Sequence, residues 1–195
     1  MSSTNRGKPR NVSDYYVTPQ AEIKKFLDAW SEDVKWKQHI RGYVILDPCA
    51  GGDAKHEMSY PKALASYNLR NVLMSVDYRK DSLAMYKEDF LKFQTANEVY
   101  LIISNPPFCD ALKFIQHSLS ISKMYVVFLL RLNFFGSQKR SEWFKTHMPI
   151  LTYVHSRRIK FTNATTNIAG TDSIEYMHCV WEVGNYPKFT KLRVI

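Results

Sequence analysis

Val99-Tyr-Leu-Ile-Ile-Ser-Asn-Pro-Pro-Phe108 is the stretch of this 195-residue chain that decides its fold. Val99 to Ile103 is an unbroken apolar run, too short for a helix and typical of a strand buried on both faces. It ends abruptly in Ser104-Asn105-Pro106-Pro107-Phe108. Two consecutive prolines fix the backbone and remove two amide donors, so the carbonyls and the Asn105 side chain stand as a rigid set of acceptors. Phe108 adds a flat apolar face on which a planar group can stack. In α/β proteins the carboxyl ends of parallel strands are where ligands bind.

Three more runs of the same kind flank this one: Tyr43 to Leu46, Val72 to Val76 and Met124 to Leu130. Segments with helical signals lie between them, at Lys62 to Tyr67, Ser82 to Tyr86 and Ala111 to Ser120. Alternating strand and helix predicts an α/β fold with a mostly parallel central sheet and helices on both faces. Before the first run, Ile23, Phe26, Leu27, Trp30 and Val34 follow Thr18-Pro19 at helical spacing, which predicts a helix of about 15 residues. Ile150 to His155 and Tyr176 to Val183 are expected as two further strands, joined by a mobile polar loop over Thr162 to Asp172.

The run at Tyr43 leads into Asp47-Pro48-Cys49-Ala50-Gly51-Gly52, a small-residue turn in which glycines let backbone pass close to a bound group. The run at Val72 ends in Asp77-Tyr78, about 25 to 30 residues further on, where a carboxylate at a strand tip can hold a ribose diol. Singly, each is also what an ordinary turn or a solvated strand end carries. Together with Asn105 to Phe108 they put three chemically useful loops on one edge of the sheet.

Composition limits the rest. Apolar residues make up 45% and charged residues 23%, an ordinary globular balance that excludes a disordered or low-complexity chain. The length suits a single domain over 14–195, preceded by a flexible basic arm over 1–13 that carries Arg6, Lys8 and Arg10. Lys and Arg number 27 against 18 Asp and Glu, a net charge of +9 that favours polyanionic partners. Candidate phosphate contacts are Lys139, Arg140, Arg157, Arg158 and Lys160. No apolar run approaches the ~20 residues that span a bilayer, and the polar start holds no signal core, so no membrane partner and a cytoplasmic location are expected. Cys49, Cys109 and Cys179 are scattered and the six histidines lack ligand spacing, so no disulfide and no metal are expected.

Asn105-Pro106-Pro107-Phe108 resembles the catalytic motif of the amino methyltransferases that modify adenine N6, and Asp47 to Gly52 resembles their S-adenosylmethionine motif. Asp14-Tyr15-Tyr16-Val17-Thr18-Pro19 matches the element that precedes it there, and the order of motifs is similar to that of phage and bacterial DNA adenine methyltransferases. The resemblance covers roughly residues 14 to 183. It implies a Rossmann-like class I methyltransferase fold with an antiparallel C-terminal strand, and a location in a bacterial host or phage-infected cell. It implies S-adenosylmethionine as cofactor, held by Tyr16, Thr18, Pro19, Asp47, Pro48, Cys49, Ala50, Gly51, Asp77, Tyr78, Asp89, Phe90 and Asn105. Asn105, Pro106, Pro107 and Phe108 would be catalytic, and DNA the substrate. The chain departs from the family in having Asp53 where another glycine is frequent. Ser156 to Phe161 resembles the family's base-pocket segment, and the 34 residues after it are too few for a separate target-recognition domain. Sequence specificity would then be loose, or a separate specificity subunit would supply it; a homodimer is the other expected partner arrangement. The competing readings are an RNA adenine-N6 methyltransferase, a protein-glutamine methyltransferase, disfavoured because such enzymes more often have Tyr at the position of Phe108, and a catalytically silent nucleic-acid-binding subunit.

Overall fold

Apolar side chains on successive residues of a strand point to opposite faces, so an uninterrupted apolar run requires cover on both sides. The computed structural model, which describes residues 15–171 and 173–195, provides that cover. The expected basic arm over 1–13 lies outside the described residues. The chain opens with β1 (Tyr16–Val17), α1 (Gln20–Asp33) and α2 (Trp36–His39), then β2 (Val44–Asp47), α3 (Ser59–Ala65) and β3 (Val72–Ser75). It continues with β4 (Val99–Ser104), α4 (Ala111–Ile121), β5 (Ser122–Arg131), α5 (Gln138–Phe144) and β6 (Leu151–Val154). A hairpin of β7 (Phe161–Asn163) and β8 (Ile168–Gly170) precedes β9 (Tyr176–Glu182) and β10 (Lys191–Val194).

Seven strands form the main sheet in the order β10-β6-β9-β5-β4-β2-β3. Strands β3, β2, β4 and β5 are parallel, and β9 runs antiparallel between β5 and β6. On one face Ile45, Leu101, Ile103, Tyr125, Val127, Tyr153 and Val180 pack under α1, α2 and α3. On the other, Leu46, Ile102, Val126, Phe128, Leu130 and Trp181 pack against α4 and the end of α5. Helix α1 covers its 14 residues because Ile23, Phe26, Leu27 and Trp30 share one stripe, and it begins at Pro19, whose carbonyl accepts the Glu22 and Ile23 amides. No described helix is long and apolar enough to cross a membrane.

Four features differ from expectation. Ser82 to Tyr86 is not helical, because its amides are taken elsewhere: Leu83 donates to the Gly51 carbonyl, Met85 to Ser75 Oγ and Tyr86 to the Ser75 carbonyl. The expected loop over Thr162 to Asp172 contains the β7–β8 hairpin, which joins β1 in a separate three-stranded sheet. Helix α3 begins at Ser59, ahead of Pro61, which is tolerated in a first turn where amides have no intrahelical acceptor. The sheet is also one strand wider than expected, since β10 adds to β6 in parallel.

A buried polar chain pins α1 and α3 to the sheet. Burial holds the His155 and His178 rings below the usual imidazole range, so both are neutral. The Tyr60 hydroxyl donates to His178 Nε2 (3.0 Å), His178 Nδ1 to His155 Nε2 (2.9 Å), and His155 Nδ1 to Glu22 (3.0 Å). One direction of donation satisfies every member, and Phe26 stacks on the His178 ring at 4.1 Å. Replacing His178→Leu leaves the Tyr60 hydroxyl and His155 Nε2 without partners and is expected to lower stability by about 2–5 kcal/mol, measured as a shift of the urea midpoint. A midpoint equal to that of the unaltered protein would contradict the relay.

Candidate active site

The parallel strands β3, β2, β4 and β5 deliver their tips to one edge of the sheet. At the end of β2, Asp47 is 2% exposed. Its Oδ1 accepts the Ser104 hydroxyl at the end of β4 (2.5 Å) and the Cys49 amide of the turn (3.1 Å), while its Oδ2 is buried with no partner. Burial pushes its pKa up to about 7, helped by the nearby Asp77 charge and opposed by the two hydrogen bonds.

Gly51 and Gly52 adopt φ of 63° and 74°, in the left-handed region that glycine enters at no steric cost. Asp77, at the tip of β3, accepts the Gly51 amide (2.8 Å) and the Arg79 amide (2.8 Å), so it shapes the turn. Tyr15 lies over the turn. Its hydroxyl accepts the Gly52 amide (2.7 Å), and a Cβ on Gly51 would collide with its ring. The Arg79 guanidinium stacks on that ring at 4.0 Å and pairs with Asp81. Pro48 and Ala50 are buried, and burial pushes the Cys49 thiol well above its usual range, so it is no nucleophile. Asp53 does not adopt a left-handed backbone; it caps its own loop through the Lys55 and His56 amides and the His56 ring, and His56 bonds Asn167 at the tip of the β7–β8 hairpin.

Asn105 follows β4 directly. Its Nδ2 donates to the buried Thr18 hydroxyl (3.1 Å), and its Oδ1 is buried with no partner. Pro106 is buried and Pro107 exposed, and the Pro107 carbonyl accepts the Asp110 amide that opens α4. Phe108 packs against Leu129, Ile159, Phe161 and Tyr176. The Arg131 guanidinium, at the tip of β5, sits 4.6 Å from the Phe108 ring.

The structure thus brings together Thr18, Pro19, Asp47 to Gly51, Asp77 and Asn105 to Phe108. Tyr16 faces outward on β1, 44% exposed, and it is Tyr15 that meets the glycine turn. Tyr78 is exposed beyond Asp77. Asp89 caps a short helical turn through the Leu91 amide (3.0 Å). Phe90 lies in the core against Phe114 and His117 and presents no face to the turn. In the segment after β6, Ile159 and Phe161 turn inward toward Phe108, while Arg157, Arg158 and Lys160 are exposed and Arg158 reaches Glu175 at 3.6 Å. On α5 Lys139 is exposed, but Arg140 donates to the Phe134 carbonyl (2.7 Å) and lies on the Phe134 ring, so it braces the loop after β5. Sequence reasoning missed Tyr15, Arg79 and Arg131. For Arg131 a signal existed: a cation ends the most apolar strand, at the edge where ligands bind.

No protein-family model matches the chain, and no curated protein matches its sequence. Solved structures do resemble it. A provisionally assigned class I S-adenosylmethionine-dependent methyltransferase of Listeria monocytogenes superposes with a TM-score of 0.70 at 16% identity, over 96% of this chain and 68% of that one. A provisionally assigned RNA methyltransferase of Pyrococcus horikoshii gives 0.58 at 16% identity, over 90% of each chain. A dimethyladenosine transferase of Plasmodium falciparum gives 0.51 at 8% identity, over 86% of this chain and 62% of that one. The chain has the Rossmann-like fold of class I methyltransferases.

Asp47 makes stability depend on pH. The unfolded chain releases its proton near 3.8 and the folded one near 7, so folding weakens as pH rises through that window and stays weaker above it. Asp47→Asn removes the titration, so its stability relative to the unaltered protein should rise by roughly 2–4 kcal/mol between about pH 4.5 and pH 8, measured by urea unfolding. Parallel pH dependences in the two proteins would contradict the assignment.

Proposed function

We propose that this protein transfers the methyl group of S-adenosylmethionine to the N6 amino group of adenine in DNA. The observation that carries the reading is the Asn105 carboxamide: its oxygen is buried and has no partner, while its amide nitrogen is anchored to Thr18. A buried acceptor left unsatisfied costs stability, and its retention at the tip of a central strand is explained by a donor that arrives with substrate.

The chain's residues fit the cofactor. The glycine turn has the backbone conformation that permits close approach, Asp77 braces it, and Asp47 at the end of β2 keeps a buried Oδ2 with no partner. Tyr15 overlies Gly51 and would swing aside. When bound, S-adenosylmethionine would supply an electrophilic methyl carbon whose bond to sulfur breaks as its bond to N6 forms, with S-adenosylhomocysteine as the leaving group and the surplus N6 proton passing to solvent.

The protein's part is orientation and electrostatics. Adenine N6 is a weak nucleophile because its lone pair is delocalised into the ring. Asn105 Oδ1 and the Pro106 carbonyl accept the two N6 hydrogens, which draws electron density back onto nitrogen and fixes its direction. The two prolines keep both acceptors from rotating away, and Phe108 stacks on the base. Adenine in a duplex must first leave the helix, at a cost of a few kcal/mol. Arg157, Lys160 and Lys139, exposed near this edge, are the proposed phosphate contacts.

RNA is the second reading. The names of two similar structures specify RNA in one case and adenosine in the other, and the Asn105 geometry does not depend on the sugar. Labelled methyl transfer to duplex DNA, single-stranded DNA and RNA in parallel, with nucleoside analysis, is expected to yield N6-methyladenine in DNA. Product in RNA alone would establish the second reading, and failure to bind S-adenosylmethionine would favour a silent nucleic-acid-binding subunit. Asn105→Ala should reduce turnover by at least ~100-fold while cofactor still binds, measured by single-turnover transfer and calorimetry. Unchanged turnover would overturn the role of Asn105.

A further inference from the structure

Arg131 is the last residue of β5, in register with Tyr176 on β9 and three residues beyond Phe128, which pairs with Ser104 at the end of β4. Its side chain reaches over the loop that carries Asn105. Three observations set it apart. Its guanidinium covers the Phe108 ring at 4.6 Å. Its Nε is buried and has no acceptor. Among the described residues no carboxylate lies within ion-pair distance of it, since nearby Glu175 is paired with Arg158.

A half-buried guanidinium without a counter-charge is costly, and an aromatic face offsets only part of that cost. The group is therefore poised for an anion that the described residues do not supply. The position also excludes a bystander's role: at 4.6 Å from the ring, the cation takes the face on which a planar base would stack, and Tyr176, at 5.7 Å, packs against Phe108 as well. A base can reach that face of Phe108 only if Arg131 moves off it.

We propose that Arg131 selects for a nucleotide within a polynucleotide chain: it caps Phe108 in the free protein, is displaced by the incoming base, and then pairs with the phosphate of that nucleotide. The inference rests on the reading of the site given above. It extends that reading to the substrate class, because a free nucleoside or a protein amide brings no phosphate to receive the displaced cation. The planar fork of a guanidinium matches two phosphate oxygens at once, whereas an ammonium meets them as a point charge. The exposed Arg157 and Lys160 flank the inward-facing Ile159 on the segment packed against Phe108, so the backbone on either side of the selected nucleotide would also meet positive charge.

The test is equilibrium binding of a fluorescein-labelled, adenine-containing oligonucleotide to the full chain across a salt series, with S-adenosylhomocysteine present. Arg131→Met should raise Kd about tenfold and lower the slope of log K against log salt by about one, the signature of one lost phosphate contact. Arg131→Lys should keep the slope and lose part of the affinity. S-adenosylhomocysteine affinity and the thermal midpoint, measured alongside, should not move, which separates a substrate contact from a structural one. Arg131→Gln serves the same purpose if the Met variant does not fold. A neutral variant that keeps the slope and Kd of the unaltered protein overturns the Arg131 inference, whether or not methyl transfer occurs. Absence of transfer to any polymer by the unaltered protein overturns the methyltransferase reading, and a slope that still falls by one in the Met variant would then leave Arg131 as a phosphate contact of a binding protein.

Discussion

Asp47 ends β2 with its carboxylate withdrawn from water, one oxygen shared between the Ser104 hydroxyl and the Cys49 amide and the other left bare. Those two bonds connect the glycine turn to the loop carrying Asn105, which are 57 residues apart in sequence at the Asp47–Ser104 contact. The rest of the edge follows from this tie. With β2 and β4 adjacent, Asp77, two residues beyond β3, can reach the Gly51 amide, and Thr18, just ahead of α1, can hold the Asn105 nitrogen. A carboxylate so buried is a burden to folding at neutral pH. Its retention at the junction of two ligand-facing loops fits the general pattern that perturbed titratable groups gather where chemistry is done.

The main sheet was legible because its strands are apolar on both faces, a pattern that survives without any tertiary information. Each of the apolar runs from Tyr43 to Leu130 became a parallel strand, and α1 followed its stripe. What was illegible depends on partners distant in sequence. Ser82 to Tyr86 has helical composition, but the Gly51 carbonyl and the end of β3 claim its amides first. Lys191 to Val194 is too short and too polar to announce a strand, and it exists because β6 has a free edge. The polar hairpin that begins at Phe161 is held by Tyr16 and Val17, 147 residues away in sequence at the Tyr16–Asn163 pair, and nothing local marks it.

Within the site, residue type and spacing picked out the loops but not the facing of individual side chains. Tyr15 and Tyr16 are indistinguishable by composition; only the strand period, with Tyr16 half exposed on β1, turns Tyr15 toward the glycines. Phe90 stands near the expected position and yet its ring is committed to the core beside α4. Lys139 and Arg140 are chemically alike in sequence, but one is in solvent and the other braces a loop. Arg131 was passed over because a charge at a strand end ordinarily marks the return to water, whereas here the strand ends over Phe108.

The outermost strand, β10, has a colloidal consequence. Among the described residues its outer row of backbone groups pairs with no strand, and Leu192 and Val194 are 58% and 61% exposed. An open edge of this kind is a template for strand addition by a second molecule. Lys191 precedes the two apolar residues, and although Arg193 between them is paired with Glu32 and Asp33, the net charge of +9 makes the approach of another copy repulsive. That protection is electrostatic and so weakens as ions are added, the Debye length falling from about 10 Å at 0.1 M to about 3 Å at 1 M. Concentrated salt, which releases a basic protein from polyanions, is for this chain also the medium in which its molecules repel one another least.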